Sequence, residues 1–281
     1  MTGVTTTSMR RSDLGDLPAG DAGLRATNDG YWRADHVRDY ATSELRPVEA
    51  IALERFGDEF AGGRLLELGC GAGRVTGHLA AIAGHVHALD ISPSMVAYCR
   101  WAYPSSSFRV ADMRDLDEYD DGLFDALVAT FNVVDVLTHD ERPDALKDWR
   151  RVLRPGGLLI FSSHNRGHAP NVPTPGGQVV QSVRSGNPRR VAASVAKLPK
   201  RVRNKRRMGR FERMEPNYAI VTDSGGDYGI LHYYISRDDQ VRQLTQAGFD
   251  LLDALDLEGA TVQPGDTAPS TPEIHYIARA V

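Results

Sequence analysis

Glycines at positions 69, 71 and 73 close the run Leu65-Leu66-Glu67-Leu68-Gly69-Cys70-Gly71-Ala72-Gly73-Arg74, which reads as a buried strand, a turn and the start of a helix. Alternate glycines adopt dihedrals that other residues resist, and they let a ligand touch the main chain. The helix that follows points its free amides at whatever sits there. Asp90 ends the next strand, near the offset at which a carboxylate meets a ribose diol. A nicotinamide dinucleotide site shares this architecture but puts its third glycine three positions after the second, and that position here is Arg74. The turn therefore fits the dinucleotide pattern poorly.

A second set of reactive side chains falls after later strands. In open α/β sheets ligands sit beyond the carboxyl ends of the strands, so Asp135 after the fourth strand and His164 with Asn165 after the fifth are candidates. His164 is the preferred base, competing with a plain loop histidine. Asp135 either orients a substrate or caps the next helix. His139 near Asp135 and Asp140 is not a metal-ligand signature. Tyr228, His232, Tyr233 and Tyr234 suit either a polar pocket wall or the core of a strand.

The elements needed to position these groups are legible. Strands are expected over 64–68, 85–91, 107–113, 124–133 and 158–163, with helices over 74–83, from Ser92 as N-cap, and over 144–153. Arg154-Pro155-Gly156-Gly157 is a stop signal for the last of these. Ser236 with Asp239 three residues later opens another helix, capped by Gly248, and strands over 250–257 and 274–281 close the chain. Strands alternating with helices predict a doubly wound α/β fold with seven mostly parallel strands. Residues 164–234 break the rhythm with Pro-Gly punctuation and a possible helix over 188–198, a gap too long for a plain loop. The expected organisation is a mobile tail over 1–28, a core over 29–165, an inserted basic acceptor-binding or lid segment over 166–232, and the rest of the core over 233–281. Two helices are expected between His36 and Phe56, divided at Pro47, with Tyr31 and Trp32 as an anchor or part of a lid.

A hydrophobic share of 41% supports a sizeable core. The net charge of −4 hides twelve Lys or Arg between Arg184 and Arg213 against the single acid Glu212, so this stretch carries +11 and the remainder about −15. A solvated charged face ranks first for it, an anionic small substrate second and RNA third, because the aromatic interleaving of nucleic-acid platforms is missing. Two cysteines, Cys70 and Cys99, exclude a disulfide framework and suggest a reducing compartment. With no leader pattern and no spanning segment, a cytoplasmic protein without membrane contact is expected.

Glu67-Leu68-Gly69-Cys70-Gly71-Ala72-Gly73 resembles the first motif of class I S-adenosylmethionine-dependent methyltransferases. Leu89-Asp90-Ile91-Ser92, Val110-Ala111-Asp112-Met113 and Arg151-Val152-Leu153-Arg154-Pro155-Gly156-Gly157-Leu158 are similar to three further family segments, in order, while the insertion has no counterpart. The resemblance implies S-adenosylmethionine as methyl donor. Glu67 and the backbone of Gly69, Gly71 and Gly73 would hold its methionine half, Asp90 the ribose, and Ile91 would cover the adenine. Asp112 would accept from the adenine amino group beside the Met113 backbone, and Phe131 and Asn132 would flank the methyl. A sulfonium is already activated, so no metal is required in principle, although a divalent ion stays compatible. The expected activity is methyl transfer to a small polar acceptor, foremost a hydroxyl of a sugar or natural product. The alternatives are N-methylation of an amine or RNA base, and a non-catalytic donor-binding or partner-binding module.

Overall fold

The computed structural model of the chain describes Val37 and residues 44–281. The expected mobile tail, Tyr31-Trp32 and, apart from Val37, the helical stretch before Glu44 lie outside the described residues. Helix α1 (Pro47–Phe56) starts at its proline, and the Arg46 amide donates to the Glu49 carboxylate at 2.8 Å. Then come β1 (Arg64–Leu68), α2 (Thr76–Ile82), β2 (His85–Asp90), α3 (Pro93–Ala102), β3 (Ser107–Val110), β4 (Phe124–Ala129), α4 (Glu141–Val152) and β5 (Leu153–Asn165). The insertion supplies α5 (Pro175–Arg184), α6 (Pro188–Met208), β6 (Arg213–Met214), β7 (Tyr218–Val221) and β8 (His232–Ile235). The chain closes with α7 (Arg237–Gln246), β9 (Phe249–Leu255) and β10 (Glu273–Ala280).

Alternation along the strands sorts the core onto two faces. Leu65, Ala126, Val128, Leu158 and Ile160 pack with Val48, Leu79 and Val96 from α1, α2 and α3. Their neighbours Leu66, Leu68, Leu127, Leu159 and Phe161 pack with Leu146, Trp149 and Leu244 from α4 and α7. Strands β3, β2, β1, β4 and β5 are parallel in that order, so the sequence order reverses at β1, where α/β sheets open a crevice for ligands. Among the described residues the sheet has ten strands rather than seven. Strands β1 to β5 with β9 and β10 make up the expected set, and β6 to β8 are additions from the insertion.

Strand β5 explains how the additions attach. It runs for 13 residues from Leu153, through the Arg-Pro-Gly-Gly signal that was expected to precede it. Antiparallel β10 holds one of its edges from Leu158 to His164. On the other edge β4 stops pairing at Ala129, opposite Phe161, and β8 takes over in parallel at His164 and Asn165. The antiparallel meander β8-β7-β6 therefore stands beyond the carboxyl end of β4. Its strand crosses the expected boundary at residue 232 and runs to Ile235.

Helix α6 continues ten residues past its expected end at Leu198, despite Pro199 within it. Its side-chain anchors outweigh the hydrogen bond lost to proline. Asp227 accepts from Lys200 at 3.0 Å and from Arg201 at 3.1 Å, and Lys205 pairs with Glu212 at 2.6 Å. Part of the basic run thus ties the helix to the 223–228 turn instead of forming a free charged face. Among the described residues no helix is long and apolar enough to cross a membrane.

Candidate active site

A cavity of about 560 Å³ extends from the glycine turn after β1 to the meander of the insertion. In the turn, Gly69 and Gly71 have φ of +64° and +53°. A Cβ on Gly69 would stand 2.3 Å from Val133 Cγ2, so only glycine fits there, whereas a Cβ on Gly71 would meet nothing within 4 Å because it opens onto the cavity. The Gly71 amide donates to Asp90 Oδ2 at 2.8 Å, and the Ser92 amide to Asp90 Oδ1 at 2.8 Å. Burial raises the Asp90 pKa against these two bonds. Glu67 lies on the α1 side of the sheet, accepting from Thr76 Oγ1 at 2.6 Å. Burial pushes its carboxyl up to about 7, with Thr76 and Arg74 opposing.

Ile91, Asp112 and Met113 line the same side of the cavity. Asp112 accepts from Arg114 through Nε at 2.8 Å and Nη2 at 2.5 Å. The Met113 carbonyl accepts the indole N–H of Trp149 at 3.1 Å, which fixes that loop against α4. Gly73 belongs to the turn but does not line the cavity, and a Cβ there would run into Tyr103 and Cys99.

After β4 the chain turns through two successive left-handed residues, Phe131 (φ 61°) and Asn132 (φ 58°). Non-glycine residues hold this conformation only when their surroundings enforce it. Here the Arg46 guanidinium stacks on the Phe131 ring at 4.5 Å and that of Arg74 at 5.0 Å. Arg74 is itself clamped by Glu49 at 2.5 and 2.6 Å. The Asn132 amide N–H donates to Ser162 Oγ at 2.8 Å, and its side-chain Nδ2 donates to Glu273 Oε2 at 2.7 Å.

Asp135 and His164 come together as a pair. Asp135 is fully buried behind His164, outside the cavity wall, so it touches a bound molecule only through its neighbour. Its Oδ2 accepts from His164 Nδ1 at 2.8 Å and from the His164 amide at 2.6 Å. Its Oδ1 accepts from Arg142 at 2.8 Å and Ser163 at 2.6 Å. With Nδ1–H committed to Asp135, Nε2 of neutral His164 carries the lone pair and meets Asn132 Nδ2 at 3.2 Å. Burial alone would lower the His164 pKa, but Asp135, Asp223 and Glu273 outweigh it and raise the value.

Among the cavity residues that went unread in the sequence are Arg46, Asp223 and Glu273. Glu273 begins β10 and accepts from His275 at 2.9 Å and from Arg46. Burial would raise its pKa, yet His275 and Arg46 hold it well below the carboxylate range. A lone carboxylate after Pro272 offers no sequence signal, because its site neighbour Asn132 lies 141 residues away. His139, in contrast, faces away from this cavity and bonds the Tyr233 hydroxyl at 2.6 Å.

The glycine turn and the acidic strand end line one cavity at the end of the parallel sheet. Residues 65–157 match the family model described as a methyltransferase domain. The chain is 34% identical over 113 residues to a ubiquinone biosynthesis O-methyltransferase of Xanthomonas oryzae pv. oryzae, covering 38% of this chain and 46% of that protein. It is 34% identical over 107 residues to the putative methyltransferase YqeM of Bacillus subtilis, covering 37% and 43% respectively. The chain thus spans about half the length of the curated relatives it matches. Its fold is shared with the 1,6-didemethyltoxoflavin-N1-methyltransferase of Burkholderia thailandensis (TM-score 0.56, 15% identity, 92% of this chain and 87% of that one). It is also shared with the CcbJ methyltransferase of Streptomyces caelestis (TM-score 0.55, 18% identity, 89% and 98%).

Proposed function

We propose that the protein transfers a methyl group from S-adenosylmethionine to a hydroxyl of a small polar acceptor, such as a sugar or another natural product, with His164 as the base. The Asp135–His164 pair, set on the cavity that begins at the glycine turn, carries this reading. The donor fits the residues present: Gly71 leaves its cradle open, Asp90 stands across from it, and Glu67 and Glu273 add negative charge that suits a cation. When bound, the donor supplies a methyl group already activated on a sulfonium.

The chain's own residues do the rest. Asp135, paired with Arg142, fixes the His164 tautomer and leaves Nε2 as the free ring nitrogen. An acceptor hydroxyl that displaces Asn132 from Nε2 gives its proton there, and the resulting imidazolium is stabilised by Asp135. Positioned bases of this kind contribute about 10²–10⁴-fold, and alignment of the reactants about 7–11 kcal/mol. Incubating the protein with methyl-labelled donor and a panel of hydroxylated and amine metabolites tests the reading. Label found only in amines, or in nothing, would overturn it.

Glu67 gives donor binding a pH dependence. Its carboxyl is half-protonated at about pH 7, and only the ionised form attracts the ammonium of the methionine half. Affinity for S-adenosylhomocysteine, followed by calorimetry, should fall as pH drops below that value, and Glu67→Gln should flatten the dependence. A flat profile in the unaltered protein would show that Glu67 does not face the ammonium.

A further inference from the structure

A second carboxylate–imidazole pair stands beside the first. Asp223 Oδ2 accepts from His232 Nδ1 at 2.7 Å and from the Tyr234 hydroxyl at 2.8 Å, and Oδ1 accepts from the Gly225 amide at 2.7 Å. Burial would raise the Asp223 pKa, but His232 and His164 hold it well below the usual range. The His232 and His164 rings lie 5.1 Å apart, centroid to centroid, and Tyr234 lies 4.6 Å from His164. All of these side chains line the cavity. As in His164, the carboxylate occupies Nδ1 and leaves Nε2 as the remaining polar atom. Close by, the buried Oδ1 of Asn132 has no hydrogen-bond partner, while its Nδ2 is taken by Glu273 and His164.

We propose that Asp223 and His232 form a second recognition site, which holds a hydroxyl adjacent to the one that His164 deprotonates, so that the preferred acceptor carries two neighbouring hydroxyls. This rests on His164 being the base. A hydrogen bond spans about 2.8 Å, so two oxygens on adjacent carbons can bridge imidazoles at this spacing, one to each Nε2. A lone hydroxyl satisfies only one of them. Ligating atoms of His164, Asp223 and His232 also come within 4.8 Å of one another. Both Asp223 oxygens, however, already accept hydrogen bonds, which suits a relay to His232 better than a metal shell.

The probes are 4-nitrocatechol and 4-nitrophenol, titrated by absorbance into the full chain with S-adenosylhomocysteine present. Nitrocatechol should bind about 10- to 100-fold tighter, the worth of one hydrogen bond to a charged pair. His232→Gln should bring its affinity down to that of nitrophenol, with S-adenosylhomocysteine affinity unchanged. Should that variant melt early, Asp223→Asn, which preserves shape, should reduce the same preference. Equal affinity for the two probes, or binding of neither, overturns the proposal. So does a preference that EDTA abolishes and Mn²⁺ restores, which would make the three groups metal ligands. With S-adenosylmethionine in place of S-adenosylhomocysteine, methyl transfer to both probes at equal affinity would sink the second site alone. A nitrocatechol preference without any methyl product would instead sink the proposed function.

Discussion

His164→Ala should lower the turnover number about 10²–10⁴-fold and leave the affinity for S-adenosylhomocysteine within a few-fold of the unaltered protein. The two readouts separate because the imidazole lies on β5, across the cavity from the glycine turn. The pH profile should change with it. His164 works as a base only when neutral, and Asp135, Asp223 and Glu273 raise its pKa above its ordinary value despite burial. Turnover of the unaltered protein should therefore rise with pH through a midpoint above about 6.5, and that limb should vanish in the variant. Unchanged turnover in the variant would remove His164 from the mechanism. Equal losses of turnover and donor-product affinity would mark it as a structural residue.

Asp135→Ala should destabilise the fold by about 3–5 kcal/mol, the usual result of stripping one partner from a buried ion pair. Asp135 and Arg142 both have side chains at 0% exposure. Arg142 retains the Val134 carbonyl at 3.0 Å, Gln240 at 2.5 Å and the face of Tyr233 at 4.5 Å. None of these carries a countercharge. Urea unfolding measures the loss, and the double variant Asp135→Ala/Arg142→Met should recover part of it by removing the stranded cation. A loss below about 1 kcal/mol, the range of exposed pairs, would mean that Arg142 reaches water. Activity should fall in both variants, since His164 loses the carboxylate that fixes its tautomer. Recovered stability without recovered activity would thus separate the structural and positioning roles of one side chain.

The glycine turn of the proposed donor site was legible because its geometry is local. A glycine turn, the strand before it and the helix after it are consecutive, and the dihedrals of Gly69 and Gly71 follow from the lack of a side chain. Core strands were legible for a similar reason, since the short apolar runs of β1, β4 and β5 mark strands buried on both faces. The helix α6 was read short because Pro199 is a strong local stop, while the anchors that override it, Asp227 and Glu212, come from segments folded back against it. The left-handed bend at Phe131 and Asn132 had no signal either, because neither residue type demands it and the stacked guanidiniums come from elsewhere.

By itself, then, the amino-acid order determined a parallel α/β core with a glycine turn after β1, and singled out Asp135 and His164 without joining them. Their meeting across 29 residues was decided by tertiary structure. So were the arrival of Glu273 through the register of β10 on β5 and the placing of the Asp223–His232 pair over the cavity by two residues of β8 pairing with the end of β5. The physical reason is one of range. Backbone conformation and strand alternation are set by neighbouring residues, whereas a pocket wall depends on which edges of a sheet the chain returns to, and local sequence does not specify that choice.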